Sequence, residues 1–202
     1  MPNKALIVFV RNPVLGKVKS RLAATLGDQK ALDIYLALLD YTRSLLSHPA
    51  WECFVYSDSK WSGGDLWDGF AVHTQSGEDL GQRMQRAFEE QFASGFEKIV
   101  LIGSDCAEIT RETLQDAFAA LDEANYVIGP AKDGGYYLIG MNRMNATLFA
   151  NILWSSSEVL ELTLERLRPE RVNLLTALRD VDVEADLLAC DWLRKRFVEN
   201  RS

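Results

Sequence analysis

The sequence predicts a three-layer α/β/α sandwich built on a mostly parallel sheet. Three observations carry this prediction. Residues 5–10 form an unbroken β-branched and aromatic run, the pattern of a strand buried on both faces. Such runs alternate along the chain with helical patterns of ten residues or more, as expected when crossover helices join parallel strands. The composition, 48% apolar and 25% charged over 202 residues, is that of an ordinary globular chain. No repeat, low-complexity tract or linker-like segment divides it, so residues 1–202 are read as a single domain.

The elements follow in order. After the first strand comes a loop containing Pro13 and Gly16. Residues 28–47 place Leu32, Tyr35, Leu36, Leu39, Leu45 and Leu46 at helical spacing. Residues 52–56 read as a second strand, 79–94 as an amphipathic helix through Leu80, Met84, Phe88 and Phe92, and 98–103 as a third strand. A helix through Leu114, Phe118 and Leu121 spans 111–123. Two further strands, 126–128 and 136–139, flank a Gly-Pro and Gly-Gly loop. Ser155-x-x-Glu158 reads as a capping box opening a helix through Leu160, Leu164 and Leu167, and a last helix is expected over 184–199.

Composition excludes several function classes. The longest apolar run is six residues, whereas a membrane-spanning helix needs about 20. The same run is too short for the core of a secretory signal, so a cytoplasmic location is expected. Cys53, Cys106 and Cys190 match neither a disulfide framework nor a zinc spacing and read as inert thiols. The two histidines, His48 and His73, stand alone, which argues against a His-rich metal site and against a Ser-His-Asp triad. The chemistry then falls to carboxylates, Lys, Arg and backbone amides. A formal charge of −7 argues against a nucleic-acid partner. That charge is unevenly spread. Residues 1–27 carry Lys4, Arg11, Lys17, Lys19 and Arg21 and no acid, which leaves −12 on the remainder.

Ligands of open α/β sheets bind beyond the carboxyl ends of the strands, so the segments after each strand are the candidate sites. The first, R-N-P-V-L-G-K-V-K-S-R-L, gathers Arg11, Lys17, Lys19 and Arg21, suited to a diphosphate or triphosphate; any helical turn there would put Lys17 and Arg21 on one face. Its alternative is a solvated basic loop, and it lacks the Walker A spacing. The second ends the 98–103 strand on Asp105, either a cation ligand shared with a phosphate or a helix N-cap. The third, G-P-A-K-D-G-G-Y-Y-L-I-G, is either a plain hairpin turn or a turn whose Gly134 and Gly135 let a ligand approach the backbone. The fourth, D-V-D-V-E-A-D, puts Asp180 and Asp182 on one side of an extended strand, and two such carboxylates brought near Asp105 would complete a cation site; its alternative is an acidic helix start. Trp154, just ahead of the expected capping box, is a candidate wall of an acceptor pocket or a packing residue. Trp61 and Trp67 flank S-G-G-D and are candidates for covering a mobile loop or for a homodimer contact.

Taken together, F-V-R-N-P-V-L-G-K-V-K-S-R-L, G-E-D-L-G-Q-R-M, I-G-S-D-C, G-P-A-K-D-G-G-Y-Y-L-I-G and D-V-D resemble the small bacterial glycosyltransferase-like proteins of the DUF2064 family. These are also described as radical-SAM/selenodomain-associated transferases, with arsenosugar biosynthesis proposed for some. The resemblance spans residues 5 to about 190. It implies the GT-A-type nucleotide-diphospho-sugar transferase fold, a Rossmann-like mixed sheet, distantly similar to the nucleotidyltransferases that activate phospholactate or molybdopterin. K-S-R-L in particular looks like the phosphate-binding segment of phospholactate guanylyltransferases.

The resemblance also implies roles. Arg11, Gly16, Lys17, Lys19 and Arg21 belong to the phosphate-binding segment, and Gly81 and Arg83 would position the nucleotide. Asp105 and Asp182 match metal-binding carboxylates, for Mg²⁺ or Mn²⁺. Asp133, Gly134, Gly135 and Tyr136, with Trp154, would face the acceptor. Asp105, Asp133 and Lys19 would carry the catalysis, Asp133 as general base. Three positions depart from the family pattern: Ser20 stands for Thr, Ala107 for Pro, and Val183 for Thr. The leading expectation is glycosyl transfer from a nucleoside-diphosphate sugar to a small-molecule acceptor. The alternatives are nucleotidyl transfer from a nucleoside triphosphate onto a phosphorylated acceptor, and a non-catalytic nucleotide-binding module.

Overall fold

The structure, a computed structural model, describes residues 3–199. Seven strands form one sheet: β1 (Lys4–Val10), β2 (Glu52–Ser57), β3 (Ala71–Thr74), β4 (Lys98–Ile102), β5 (Tyr126–Pro130), β6 (Tyr136–Met141) and β7 (Val172–Leu174). Their spatial order is β3-β2-β1-β4-β6-β5-β7. Only β6 runs against its neighbours β4 and β5; all the other pairings are parallel. The helices are α1 (Ser20–Leu26), α2 (Asp28–Leu46), α3 (Leu80–Ala93), α4 (Arg111–Glu123), α5 (Val159–Arg166), α6 (Glu184–Ala189) and α7 (Asp191–Arg194).

The unbroken apolar run of β1 is explained by what covers it. Successive strand residues face opposite sides. Leu6, Val8 and Val10 pack with Tyr35 and Leu39 of α2 and with Leu114 and Phe118 of α4. Ala5, Ile7 and Phe9 pack on the other side with Met84 and Phe88 of α3 and with Phe149. Helices on both faces leave no polar position in the strand, giving the expected three layers. Each fully buried Leu, Ile or Phe in such a core contributes about 1.5–3 kcal/mol of burial free energy. A third, smaller core joins Leu22 of α1 and Ile34 and Leu38 of α2 to Val181, Leu187 and Leu193. It fastens the D-V-D segment to the start of the chain.

Helix boundaries follow local chemistry in two places. Asp79 caps α3 by accepting a hydrogen bond from the Gln82 amide, and Thr110 caps α4 by accepting one from the Thr113 amide. Elsewhere the structure corrects the expectations. Ser155-x-x-Glu158 forms no capping box: α5 starts at Val159 and Glu158 makes no capping side-chain hydrogen bond. Ser155 instead adopts a left-handed backbone, φ 66°, and the Leu160 amide donates to the Gly134 carbonyl at 2.9 Å. Tertiary packing on the Gly-Gly turn thus supplies an acceptor for a first-turn amide of α5. The expected helix over 184–199 is broken at the buried Cys190, which is extended (φ −93°, ψ 108°), and it finishes as a π turn, Lys195–Glu199. Lys17 and Arg21 do not share a helical face, because α1 begins only at Ser20. Trp67 is buried and packs edge-on to Trp61 at 5.9 Å, so it is a core residue and not a surface contact.

The three cysteines are free and buried, and burial pushes the Cys53 and Cys106 thiols up to about 12, as suits inert groups. His48 stacks on Trp51, and His73 lies 3.2 Å from Glu90. Among the described residues no helix is long and apolar enough to cross a membrane.

The topology places the site. From β1 the chain moves to β2 and β3 on one side, then returns to β4 on the other. The loops leaving β1 and β4 therefore diverge and open a crevice at their carboxyl ends.

Candidate functional site

A cavity of about 740 Å³ fills that crevice. The basic part of its lining comes from the loop after β1 and the first turn of α1: Arg11, Lys19 and Arg21. Its acidic wall is Asp105 from the end of β4, Asp133 from the β5–β6 turn, and Asp180 and Asp182 from the segment before α6.

Backbone pairing explains why distant carboxylates meet. Cys106 and Asp180 form an antiparallel bridge, and the Val181 amide donates to the Asp105 carbonyl at 2.9 Å. Asp180 and Asp182 are thereby brought beside Asp105. The alternative reading of Asp105 as a helix N-cap fails, because α4 begins six residues later and Thr110 caps it. The helix-start reading of the acidic run holds for Asp186, whose carboxylate accepts from the Asp182 and Val183 amides.

Lys19 sits at the centre. Its backbone is left-handed (φ 48°, ψ 47°), and its side chain is 4% exposed. Nζ lies 2.8 Å from Asp105 Oδ1 and 3.1 Å from Asp182 Oδ1. Arg21 approaches the other oxygen of Asp182 at 3.7 Å. Burial alone would lower the Lys19 pKa, but the Asp105 and Asp182 carboxylates outweigh it and raise it. Lys19 is therefore a charged ammonium clasped between the two residues expected to hold a metal. The expected phosphate-binding lysine is thus paired with carboxylates from both Asp105 and Asp182. The neighbouring Asp180 carboxyl is pushed up to about 7, first by burial and then by the charge of Asp105, with Lys19 pulling the other way.

The acidic wall turns a corner at Asp133. The β5–β6 connection is the hairpin that the Asp-Gly signal suggested, closed by Ala131 N–H to the Gly135 carbonyl at 3.0 Å. Asp133 Oδ1 accepts from the Gly135 amide at 3.0 Å. Gly134 has φ +94°, and a Cβ there would sit 2.2 Å from the Ser157 carbonyl oxygen. The turn is thus pressed against the loop carrying Trp154, Ser155, Ser156 and Ser157, all of which line the cavity. Both readings of this turn hold in part: it is a hairpin, and Asp133, Gly135 and Tyr136 face the cavity.

Other expected site residues lie off the cavity. Lys17 is exposed beyond its rim, and Gly16 (φ 72°) belongs to the turn closed by the Lys17 amide on the Val14 carbonyl. Gly81 provides close packing: a Cβ there would sit 2.6 Å from Trp154 Nε1 and 2.5 Å from the Phe149 carbonyl oxygen. Arg83 donates to the Gly77 carbonyl and holds the loop before α3. Gly134 contacts the serine loop and not the cavity itself.

Two residues singled out by the structure escaped the sequence reading. Tyr35 of α2 accepts from the Arg11 amide at 2.8 Å and lies 3.4 Å from Ser104 Oγ, joining the ends of β1 and β4. Buried Asn12 donates to Ser59 Oγ and the Lys60 carbonyl and accepts from the Ser62 amide. It staples the loop after β2 to the loop that carries Arg11. Asn12 lies beside Pro13 in the flagged basic loop, but its partners are 45 or more residues away, so no local pattern announces them.

The model of the DUF2064 family, described as an uncharacterised protein conserved in bacteria, matches residues 39–156. No curated protein matches the chain. Among solved structures, a protein of Desulfovibrio desulfuricans G20, provisionally named a nucleotide-diphospho-sugar transferase, superposes with a TM-score of 0.90 at 31% identity, over 100% of this chain and 92% of that one. A CMP:2-keto-3-deoxy-manno-octonic acid synthetase complexed with CTP superposes with a TM-score of 0.59 at 11% identity, covering 96% of this chain and 98% of that one. Rv0371c of Mycobacterium tuberculosis H37Rv, in complex with manganese, gives 0.54 at 16% identity, covering 93% and 97%. The last two share the fold alone. With the family model spanning more than half of its length and a near-full-length relative at 31% identity, this chain belongs to the DUF2064 family.

Proposed function

We propose that this protein is a metal-dependent transferase that uses a nucleotide-activated donor. The reaction is glycosyl transfer from a nucleoside-diphosphate sugar to a small-molecule acceptor. One observation carries this reading: Arg11 and Arg21 line one crevice together with Asp105 and Asp182 at the switch point of the sheet, with Arg21 3.7 Å from Asp182. The provisional name of the Desulfovibrio protein supports the same class.

The donor set suits a divalent cation. A single ammonium lies within 3.1 Å of an oxygen from both Asp105 and Asp182, so the two carboxylates converge on one point. Among the described residues no three His, Cys, Asp or Glu side chains form a closed metal cluster. Mg²⁺ is commonly held by one or two carboxylates, with phosphate and water completing its shell, so the pair fits it. Bound there, the cation would neutralise charge on the departing diphosphate.

The chain's own residues do the rest. Arg11 and Arg21 bind the phosphate oxygens, for which a guanidinium fork is well matched. Lys19 bridges and neutralises the two carboxylates before the donor arrives; once displaced, its ammonium is available to the phosphates. Asp133, fixed by the Gly135 amide, takes the proton of the acceptor hydroxyl.

A second reading, nucleotidyl transfer from a nucleoside triphosphate, is favoured by the number of cations: Arg11, Lys19 and Arg21 together suit three phosphates. A thermal-shift screen with Mg²⁺ or Mn²⁺ separates the two. A ligand at about one hundred times its Kd adds about 2.7 kcal/mol of stability. Stabilisation by nucleoside-diphosphate sugars supports glycosyl transfer. Stabilisation by triphosphates alone would overturn it in favour of the second reading.

A further inference from the structure

The cavity divides into two chemically different halves. All the basic side chains in its lining, Arg11, Lys19 and Arg21, come from the segment that runs from the end of β1 into the first turn of α1. The half contributed by the β5–β6 turn and the loop before α5, the far half, is lined by Asp133, Trp154, Ser155, Ser156 and Ser157, with no cation among them. Lys132, adjacent to Asp133 in sequence, is exposed and outside the lining.

This far half is a built surface. The Gly134 backbone lies directly against the Ser157 carbonyl, and the Leu160 amide donates to the Gly134 carbonyl at 2.9 Å. Trp154 is wedged by its Nε1 edge against Gly81. Ser156 donates to the Leu153 carbonyl, which leaves the exposed Ser155 and Ser157 hydroxyls without a hydrogen-bond partner among the described residues. Ser155 and Asn151 both hold left-handed backbones, φ 66° and 52°, so the loop keeps a costly shape on the cavity rim.

We infer that the acceptor occupying this half is a neutral, polyhydroxylated small molecule and not a phosphorylated one. The inference rests on the nucleotide-transferase reading and deepens it. Free serine hydroxyls and a fixed carboxylate both hydrogen-bond sugar-like hydroxyls. An indole beside them offers apolar area to a carbohydrate ring. A phosphate in the same place would meet the Asp133 carboxylate with no basic side chain of that half to pair it, and like charges brought together repel.

The test uses full-length protein with Mg²⁺ and whichever nucleoside diphosphate stabilises it. Saturation-transfer NMR then compares matched probes: glucose with glucose 6-phosphate, and glycerol with glycerol 3-phosphate. The neutral member of each pair is expected to bind about tenfold or more tightly than its phosphate ester. Ser155→Ala and Ser157→Ala each weaken the neutral probe by about fivefold, the worth of one hydrogen bond. Asp133→Asn narrows the discrimination by admitting the ester. Melting curves establish that each variant is folded. If a nucleotide binds but the phosphate ester binds as well as its neutral partner, or neither probe binds, the inference falls and the nucleotide reading stands. If the serine variants weaken a nucleoside-diphosphate sugar and leave the free probes unchanged, the surface belongs to the donor and the inference falls. If no nucleotide binds at all, both fall.

Discussion

Lys19 Nζ lies 2.8 Å from Asp105 Oδ1, in the place where the proposed function requires a divalent cation. The same ammonium is 3.1 Å from Asp182, so one side chain neutralises both carboxylates. Lys19→Met removes that charge and leaves two acids facing each other. Both acids keep solvent contact, at 47% and 36% exposure, so the expected loss in metal-free buffer is about 1–3 kcal/mol, below that for a fully buried pair. Mn²⁺ should restore the loss. Mn²⁺ titration followed by electron paramagnetic resonance, without nucleotide, should show tighter binding to the variant than to wild type. Equal or weaker binding would mean that Lys19 does not compete for the cation position.

Asp180 gives the site a pH signature. Its folded-state pKa is pushed up to about 7 from an ordinary value of 3.8, chiefly by burial and then by Asp105. The folded state therefore keeps a proton that the unfolded chain releases, and stability falls as pH rises from about 4 to about 7. Asp180→Asn removes this cost. In the absence of metal it should stabilise the protein by about 2–4 kcal/mol more at pH 8 than at pH 4, read from urea denaturation at both pH values. A gain independent of pH would show that Asp180 is ionised throughout.

Gly134→Ala tests the contact between turn and serine loop. The substitution meets two penalties, a φ of +94° and a Cβ 2.2 Å from the Ser157 carbonyl oxygen. A destabilisation of about 2–4 kcal/mol is expected, with faster hydrogen exchange at the Leu160 amide, whose acceptor is the Gly134 carbonyl. An alanine accepted without cost would mean that the two loops are not in contact.

Asn12→Ala removes the staple between the loops after β1 and β2. The Ser59 and Lys60 carbonyls, the Ser62 amide and the Ser59 and Ser62 hydroxyls lose their partner. A loss of about 1–3 kcal/mol is expected, since buried donors and acceptors are left unsatisfied. Hydrogen exchange should quicken over residues 58–62 and near Arg11. Protection unchanged in that loop would show that it is held by other contacts.

The sequence made the layers legible because burial writes itself into periodicity. Residues 5–10 are apolar without a break because helices cover both faces of β1. β3 was not read, because at the sheet edge Ala71–Thr74 is mostly exposed and carries no apolar pattern. α1 was hidden inside a segment marked by its charges, and Gly27 cuts it to seven residues, too short for a period to show. At the candidate site, Asp105, Asp133 and Asp182 were found because each follows a strand or marks a turn. That Lys19 would be clasped by two of them was not legible. That pairing depends on the bridge of Cys106 to Asp180, a contact between segments over seventy residues apart. The serine loop was misread for a related reason: a local capping signal lost to a long-range hydrogen bond with Gly134.

The central claim is that nucleotide phosphates and a cation meet between the basic loop and the acidic wall. A crystal structure with a nucleoside diphosphate and Mn²⁺ tests it most directly. The account predicts an anomalous manganese peak shared by Asp105 and Asp182, a diphosphate held by Arg11 and Arg21, and Lys19 Nζ moved off both carboxylates. Lys19 still bridging Asp105 and Asp182, with the nucleotide bound elsewhere or absent at saturating concentration, would contradict it.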